Sequence, residues 1–208
     1  MEGTNPVNKK LVAALSGGAA LVLALTGCGG GDGDDGDKKV ESWAEKVCGG
    51  MQPQLKKIRD ANAAIQGAAD EPDSKKLQQT DSQAFQQISD AYRALGKSVK
   101  DAGAPPVDDG EKAQTEALKD LNARSRAYED LKTAVDKLDT KDKSKFAKGL
   151  NGIAEELNKL GKNSDDAFKR LQEGEVGEAM AKQKGCQRPS GGAPAPSMDA
   201  NAPAGASS

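Results

Sequence analysis

Histidine is absent from all 208 residues, and aromatic residues make up only 3% of them. The first absence removes the Ser-His-Asp and Cys-His nucleophiles, the His-Glu-x-x-His zinc site and the Glu-x-x-His di-iron cluster, since each needs an imidazole as base or ligand. Most hydrolytic and metal chemistry goes with it, so the chain is expected to be no enzyme and to carry no metal or cofactor. An excess of one charge is also missing. The 32 acids and 30 bases leave a net charge of -2, so no basic field gathers a phosphate backbone, and no nucleic-acid partner is expected. No G-x-x-x-x-G-K-[ST] phosphate loop occurs, and Gly29, Gly30 and Gly31 precede no expected helix start. A spanning helix needs about 20 apolar residues. The longest apolar run, residues 11–26, is interrupted by Ser16, Gly17 and Gly18 and ends in small residues.

That short run has a different use. Lys9 and Lys10 precede it and Gly27 and Cys28 follow it, which is the layout of a secretory signal with a charged start, an apolar middle and a small residue at the cut. Leu25-Thr26-Gly27-Cys28 resembles the lipobox of bacterial lipoproteins, in which Leu, a small residue and Gly or Ala precede the Cys. The resemblance implies that residues 1–27 are a signal peptide, that cleavage falls between Gly27 and Cys28, and that the Cys28 sulfur carries a diacylglyceryl group. Two or more acyl chains anchor a protein stably, at about 0.8 kcal/mol per buried methylene. The lipid bilayer is then a partner, through acylated Cys28, on the extracytoplasmic face of the cell membrane.

Past Cys28, residues 29–37 contain only Gly and Asp, and with Cys28 they read as a flexible, charge-extended tether. Calcium is not expected there: counting an EF-hand from Asp32 puts Asp37 where Gly belongs and Trp43 where a bidentate Glu belongs. At the other end, residues 188–208 are mostly Pro, Ser, Gly, Ala, Asn and Asp, with too little apolar surface to offset the entropy of ordering, and disorder is expected. Residues 38–187 remain as the folded domain, about 150 residues, enough to bury about two thirds of their unfolded surface in one core.

Apolar residues in this domain recur at helical spacing. One series runs Val40, Trp43, Val47, Met51, Leu55, Ile58 and Ile65, and a second Leu77, Phe85, Ile88, Tyr92, Leu95 and Val99. A third runs Leu118, Leu121, Tyr128, Leu131, Val135 and Leu138, and a fourth Phe146, Leu150, Ile153, Leu157, Leu160, Phe168 and Leu171. Breaks at 67–72, 103–106 and 139–143 separate four helices of about 25 to 35 residues. Pro53 should kink the first helix without dividing it, because the apolar stripe stays in phase across it. Gly174 and Gly177 are expected to end the fourth helix, leaving 176–184 as a short continuation.

Of three cysteines, the lipobox resemblance claims Cys28 and leaves Cys48 and Cys186, an even pair suited to a disulfide in an exported protein. Short connections favour an antiparallel up-down-up-down four-helix bundle, which places the start of helix one and the end of helix four at the same end. An all-α, disulfide-closed bundle is the expected fold.

The six aromatic residues, Trp43, Phe85, Tyr92, Tyr128, Phe146 and Phe168, all fall on apolar stripes and are expected in the core. Should a ligand slot exist between helices, Trp43 with Tyr92 or Tyr128 is the place for it, since the indole N–H and phenol groups supply polar handles. Acid pairs Asp108-Asp109, Glu155-Glu156 and Asp165-Asp166 point about 100 degrees apart on a helix, do not converge, and read as solvated surface.

With its Ala-rich signal and lipobox, its Trp43-Ala44-Glu45-Lys46-Val47-Cys48 opening and its closing Gly185-Cys186, the chain resembles the small secreted and lipoprotein families of high-GC, Streptomyces-like actinobacteria. The resemblance implies an exported helical lipoprotein and no particular activity. The expected function is a membrane-anchored, non-enzymatic binding or accessory module with an envelope protein or cell-wall partner. The alternative is a small-ligand binding or sensing lipoprotein that works with a transporter or membrane kinase.

Overall fold

A computed structural model describes residues 32–162 and 171–187. Among the described residues five helices are defined: α1 (Asp32–Gly67), α2 (Ser74–Ala102), α3 (Gly110–Asp136), α4 (Lys143–Lys162) and α5 (Gly174–Lys182). No strand occurs among the described residues. The expectations for the signal peptide, Cys28, Asp165, Asp166, Phe168 and the 188–208 tail lie outside the described residues.

Side-chain caps explain where two helices begin. The Asp73 carboxylate accepts the backbone N–H groups of Lys75 and Lys76 at 2.9 and 3.1 Å. Asp142 does the same for Ser144 and Lys145, both at 3.0 Å. Each takes up helix donors that have no carbonyl of their own to bond. The Lys76 N–H and then the Lys75 N–H hold Asp73 below the usual carboxylate range, and Lys145 does so for Asp142. At its other end α2 stops on Gly103, whose φ of 79° suits a residue without a Cβ, and whose N–H returns to the Lys100 carbonyl at 3.2 Å.

Three points bear on the sequence reading, two of them boundaries that differ from it. First, α1 begins at Asp32, inside the expected tether and directly after the three glycines. Acids in the opening turns, such as Asp35 and Asp37, complement the positive end of the helix dipole, which composition alone scores as extended chain. Second, α1 is continuous through Pro53, undivided as its in-phase apolar stripe led one to expect. A proline there deprives the Gly49 carbonyl of its helical donor, but Gly49 is exposed and water can supply the bond, while Val47, Met51 and Ile58 stay buried on either side. Third, Gly174 opens a separate helix, α5, and does not end α4.

α2 packs along both α1 and α3, while α4 packs on α3 and α5 on α1. The start of α1 lies beside the end of α2: Trp43 Nε1 donates to the Gly103 carbonyl at 2.8 Å, and Ser98 sits over Gly50. Two glutamines tie α2 to α3 at opposite ends. Gln78 Nε2, early in α2, donates to the carbonyls of Val135 and Leu138 at 2.9 and 3.0 Å. Gln114 Nε2, early in α3, donates to the Val99 carbonyl at 3.0 Å. Each glutamine satisfies acceptors near a helix C-terminus that the helix itself leaves open.

Burial follows the periodic residues. The larger core joins α1, α2, α3 and α5 through side chains such as Val47, Ile88, Leu95, Val99, Leu121 and Met180. A smaller one, Phe85, Leu131, Val135 and Ile153, seats α4 against α3 and the first half of α2. Cys48 and Cys186 form a disulfide with Cα atoms 5.0 Å apart and a sequence separation of 138. Gly185 lets the chain approach, for its backbone lies against the Cys48 carbonyl where no Cβ would fit. Val176, Ala179 and Met180 bury the inner face of α5 beneath this link, and Lys182 Nζ reaches Glu41 at 2.9 Å on its surface.

Candidate functional site

Two of the three aromatic residues singled out for a ligand slot meet. The rings of Tyr92 on α2 and Tyr128 on α3 stack with centroids 5.7 Å apart and 17° between planes, and Phe85 packs on Tyr128 at 6.1 Å. The Arg124 guanidinium carbon lies 6.0 Å from the Tyr92 ring centroid, close enough for a cation–π contact. Arg124 Nε also pairs with the Asp120 carboxylate at 3.4 Å, one helical turn back. Arg124 and Asp120 are only 6% and 4% exposed, so this is an interior ion pair, unlike the solvated pairs elsewhere on the helices. Close by in sequence, Ser89 Oγ donates to the Ser125 carbonyl at 2.8 Å, adding a second polar contact between α2 and α3.

The electrostatics follow from burial. Burial pushes the Tyr92 phenol up, against the opposing effect of Arg124. Tyr128 is pushed up mainly by burial, with Tyr92 adding to it. Both phenols are neutral at physiological pH and serve as hydrogen-bonding and stacking groups, with no role open to them as general bases. Asp120 and Arg124 pair within α3, and Arg124 meets α2 through the Tyr92 ring.

Trp43 stands apart from these rings. Its indole N–H is committed to the Gly103 carbonyl, about 16 Å along α2 from Tyr92 at 1.5 Å per residue. Among the described residues it makes no ring contact with either tyrosine. It lines an open cleft of about 510 Å³ where the start of α1 meets the α2–α3 connection. Lys38, Lys39, Lys46, Asp35 and Ser42 form the polar side of that cleft, and Ala102, Ala104 and Pro106 the apolar side. The expected slot shared by Trp43, Tyr92 and Tyr128 therefore separates into a packed aromatic cluster and a surface cleft, because the α1–α2 register carries Trp43 to the far end of α2.

Asp108, Asp109, Glu155 and Glu156 are exposed, as their patterning predicts. Among the described residues no three His, Cys, Asp or Glu side chains come together to hold a metal, and no helix is long and apolar enough to cross a membrane. Sequence reasoning missed Asp81, Asp120 and Arg124 as interior groups. The only signal for them was their occurrence at positions in phase with the apolar stripes, Asp81 four residues before Phe85 and Arg124 four before Tyr128. Compared with models of known protein families, with curated proteins and with solved structures, the chain finds no match in any of the three.

Proposed function

We propose that the chain is an exported lipoprotein, held to the outer face of the cell membrane through acylated Cys28, whose helical body acts as a non-enzymatic binding or accessory module for another envelope component. The observation that carries this reading is Leu25-Thr26-Gly27-Cys28 behind a charged and apolar leader. The Cys48–Cys186 disulfide supports it, since such bonds persist in oxidising compartments outside the cytoplasm. Helical surfaces dominated by exposed charge suit a partner-binding role better than a catalytic one.

The body of this module is, in the same reading, an up-down-up-down bundle of α1 to α4 with α5 as a clip. Contacts between the start of α1 and the end of α2, and between the two ends of α2 and α3, support that topology. The test is a Cys28→Ser variant expressed in a bacterium that processes lipoproteins, followed by detergent phase partition and intact mass. The parent chain is expected in the detergent phase with the mass of a lipid adduct and no leader, and the variant in the aqueous phase. A parent chain without lipid mass, or a variant that stays with the membrane, overturns the anchor.

A further inference from the structure

Asp81 is the interior acid that the packing leaves without a counterpart. It sits in the first half of α2, 7% exposed, with buried Ala84 and Phe85 after it on the same helix. Its Oδ1 has no hydrogen-bond partner. Among the described residues the neighbouring cluster around Phe85 is apolar: Ile65 from α1, Leu131 and Val135 from α3, Ile153, Leu157 and Leu160 from α4. The charged groups that reach this part of α2 from α3 are Asp136 and Lys132, and they are engaged with Ser82 and with each other. No charge on α1, α3 or α4 acts appreciably on the Asp81 carboxyl, and burial alone pushes it up to about 6. Asp120, the other interior acid, has Arg124 beside it. The two ends of α2 are also held unequally: the Cys48–Cys186 bond closes the molecule near the α2 C-terminus, and no covalent link exists near Asp81.

We propose that Asp81 makes the unclipped end of the helical body a pH-sensitive latch, packed tightly when its carboxyl is protonated and loosened when it ionises. An ionised carboxylate in an apolar, unpaired setting is costly, and the cost is relieved by opening that admits water to the first turns of α2. The sign follows from linkage. The packed form holds the proton more tightly than the open chain, so packing is strongest below about pH 4, weakens as pH rises from about 4 to about 6, and is level above that. Between those limits the opening equilibrium rises by up to roughly 100-fold. Acids held below their usual range, Asp73, Asp136 and Asp142, act in the opposite sense and below about pH 4, so the two effects occupy separate windows. A protein outside the membrane meets the external pH directly, and this latch would answer to it without a ligand.

The test uses the full chain. A carboxyl ¹³C titration of Asp81 is expected to give a midpoint near 6, and hydrogen exchange is expected to show the first turns of α2 opening about 25-fold more readily at pH 7 than at pH 4.5 after correction for the intrinsic rate. Asp81→Asn, which imitates the neutral acid, is expected to abolish that pH dependence and to keep the closed form at pH 7. A midpoint below 4.5 overturns the proposal, as does an unchanged pH dependence in Asp81→Asn. Failure of Asp81→Asn to fold overturns it too, because the neutral side chain is the one the tight form accommodates.

Discussion

Replacing both Cys48 and Cys186 with alanine should cost this fold about 5 kcal/mol. The figure comes from the loop that the bond closes: 138 residues of separation correspond to about 17 cal/mol/K of entropy withheld from the unfolded chain, or about 5 kcal/mol at 25 °C. Alanine is the right replacement because Cys48 is 1% exposed, and a serine hydroxyl there would add a desolvation cost of its own. For a folded body of about 150 residues the entropy of unfolding is about 0.3 kcal/mol/K, so the midpoint should fall by about 15 °C. Thermal unfolding followed by circular dichroism, for the oxidised parent, the reduced parent and the double variant, measures it. The reduced parent and the variant should agree within a few degrees. Little else replaces the bond at that point: the Lys182–Glu41 pair is exposed and screened by solvent. A drop under about 3 °C would refute the reasoning, by showing that α5 and its buried Val176, Ala179 and Met180 undock without the rest of the fold, so that the bond closes no cooperative loop.

Two further perturbations probe the close contacts. Arg124→Met leaves the Asp120 carboxylate in the core without its guanidinium partner and should cost about 3–5 kcal/mol in urea unfolding, most of it recovered when Asp120→Leu is added; equal stability of the single and double variants would show that the pair is not interior. Gly185→Ala drives a methyl group into the Cys48 carbonyl and should destabilise by about 1–3 kcal/mol while slowing disulfide formation in a thiol-trapping gel assay. Gly49→Ala, in open space on the exposed side of α1, is the control and should stabilise by up to about 1 kcal/mol.

The helices were legible because their cause is local. A stripe such as Val47, Met51, Ile58 repeats at the helical period, and the breaks at 67–72 and 139–143 fall just before or at the starts of α2 and α4. The pairing of Cys48 with Cys186 was legible for a different reason: with Cys28 assigned to lipid only one pair remained, and short connections bring both chain ends of the domain together. The start of α1 was obscured by Gly and Asp, whose composition reads as tether whether or not a helix dipole stabilises them.

Charge was the least legible property. Asp120 and Arg124 stand four apart, the spacing of the exposed Lys56–Asp60 and Lys132–Asp136 pairs, and along the chain only the phase of Arg124 with the apolar stripe sets the interior pair apart. Asp81 gives the same faint signal, and only the neighbours supplied by α1, α3 and α4 leave its carboxyl unpaired. Trp43 belongs to the same apolar class as Tyr92 and Tyr128, yet the register of α1 on α2 sends its indole to Gly103 and leaves the two tyrosines to stack on each other. The sequence by itself determined the helices, their approximate limits and the cysteine pair, since each depends on spacing within a few turns or on simple parity. Tertiary structure decided which polar groups lie inside, which aromatic rings meet and where the cleft opens, because burial and pairing are set by side chains that arrive from other helices.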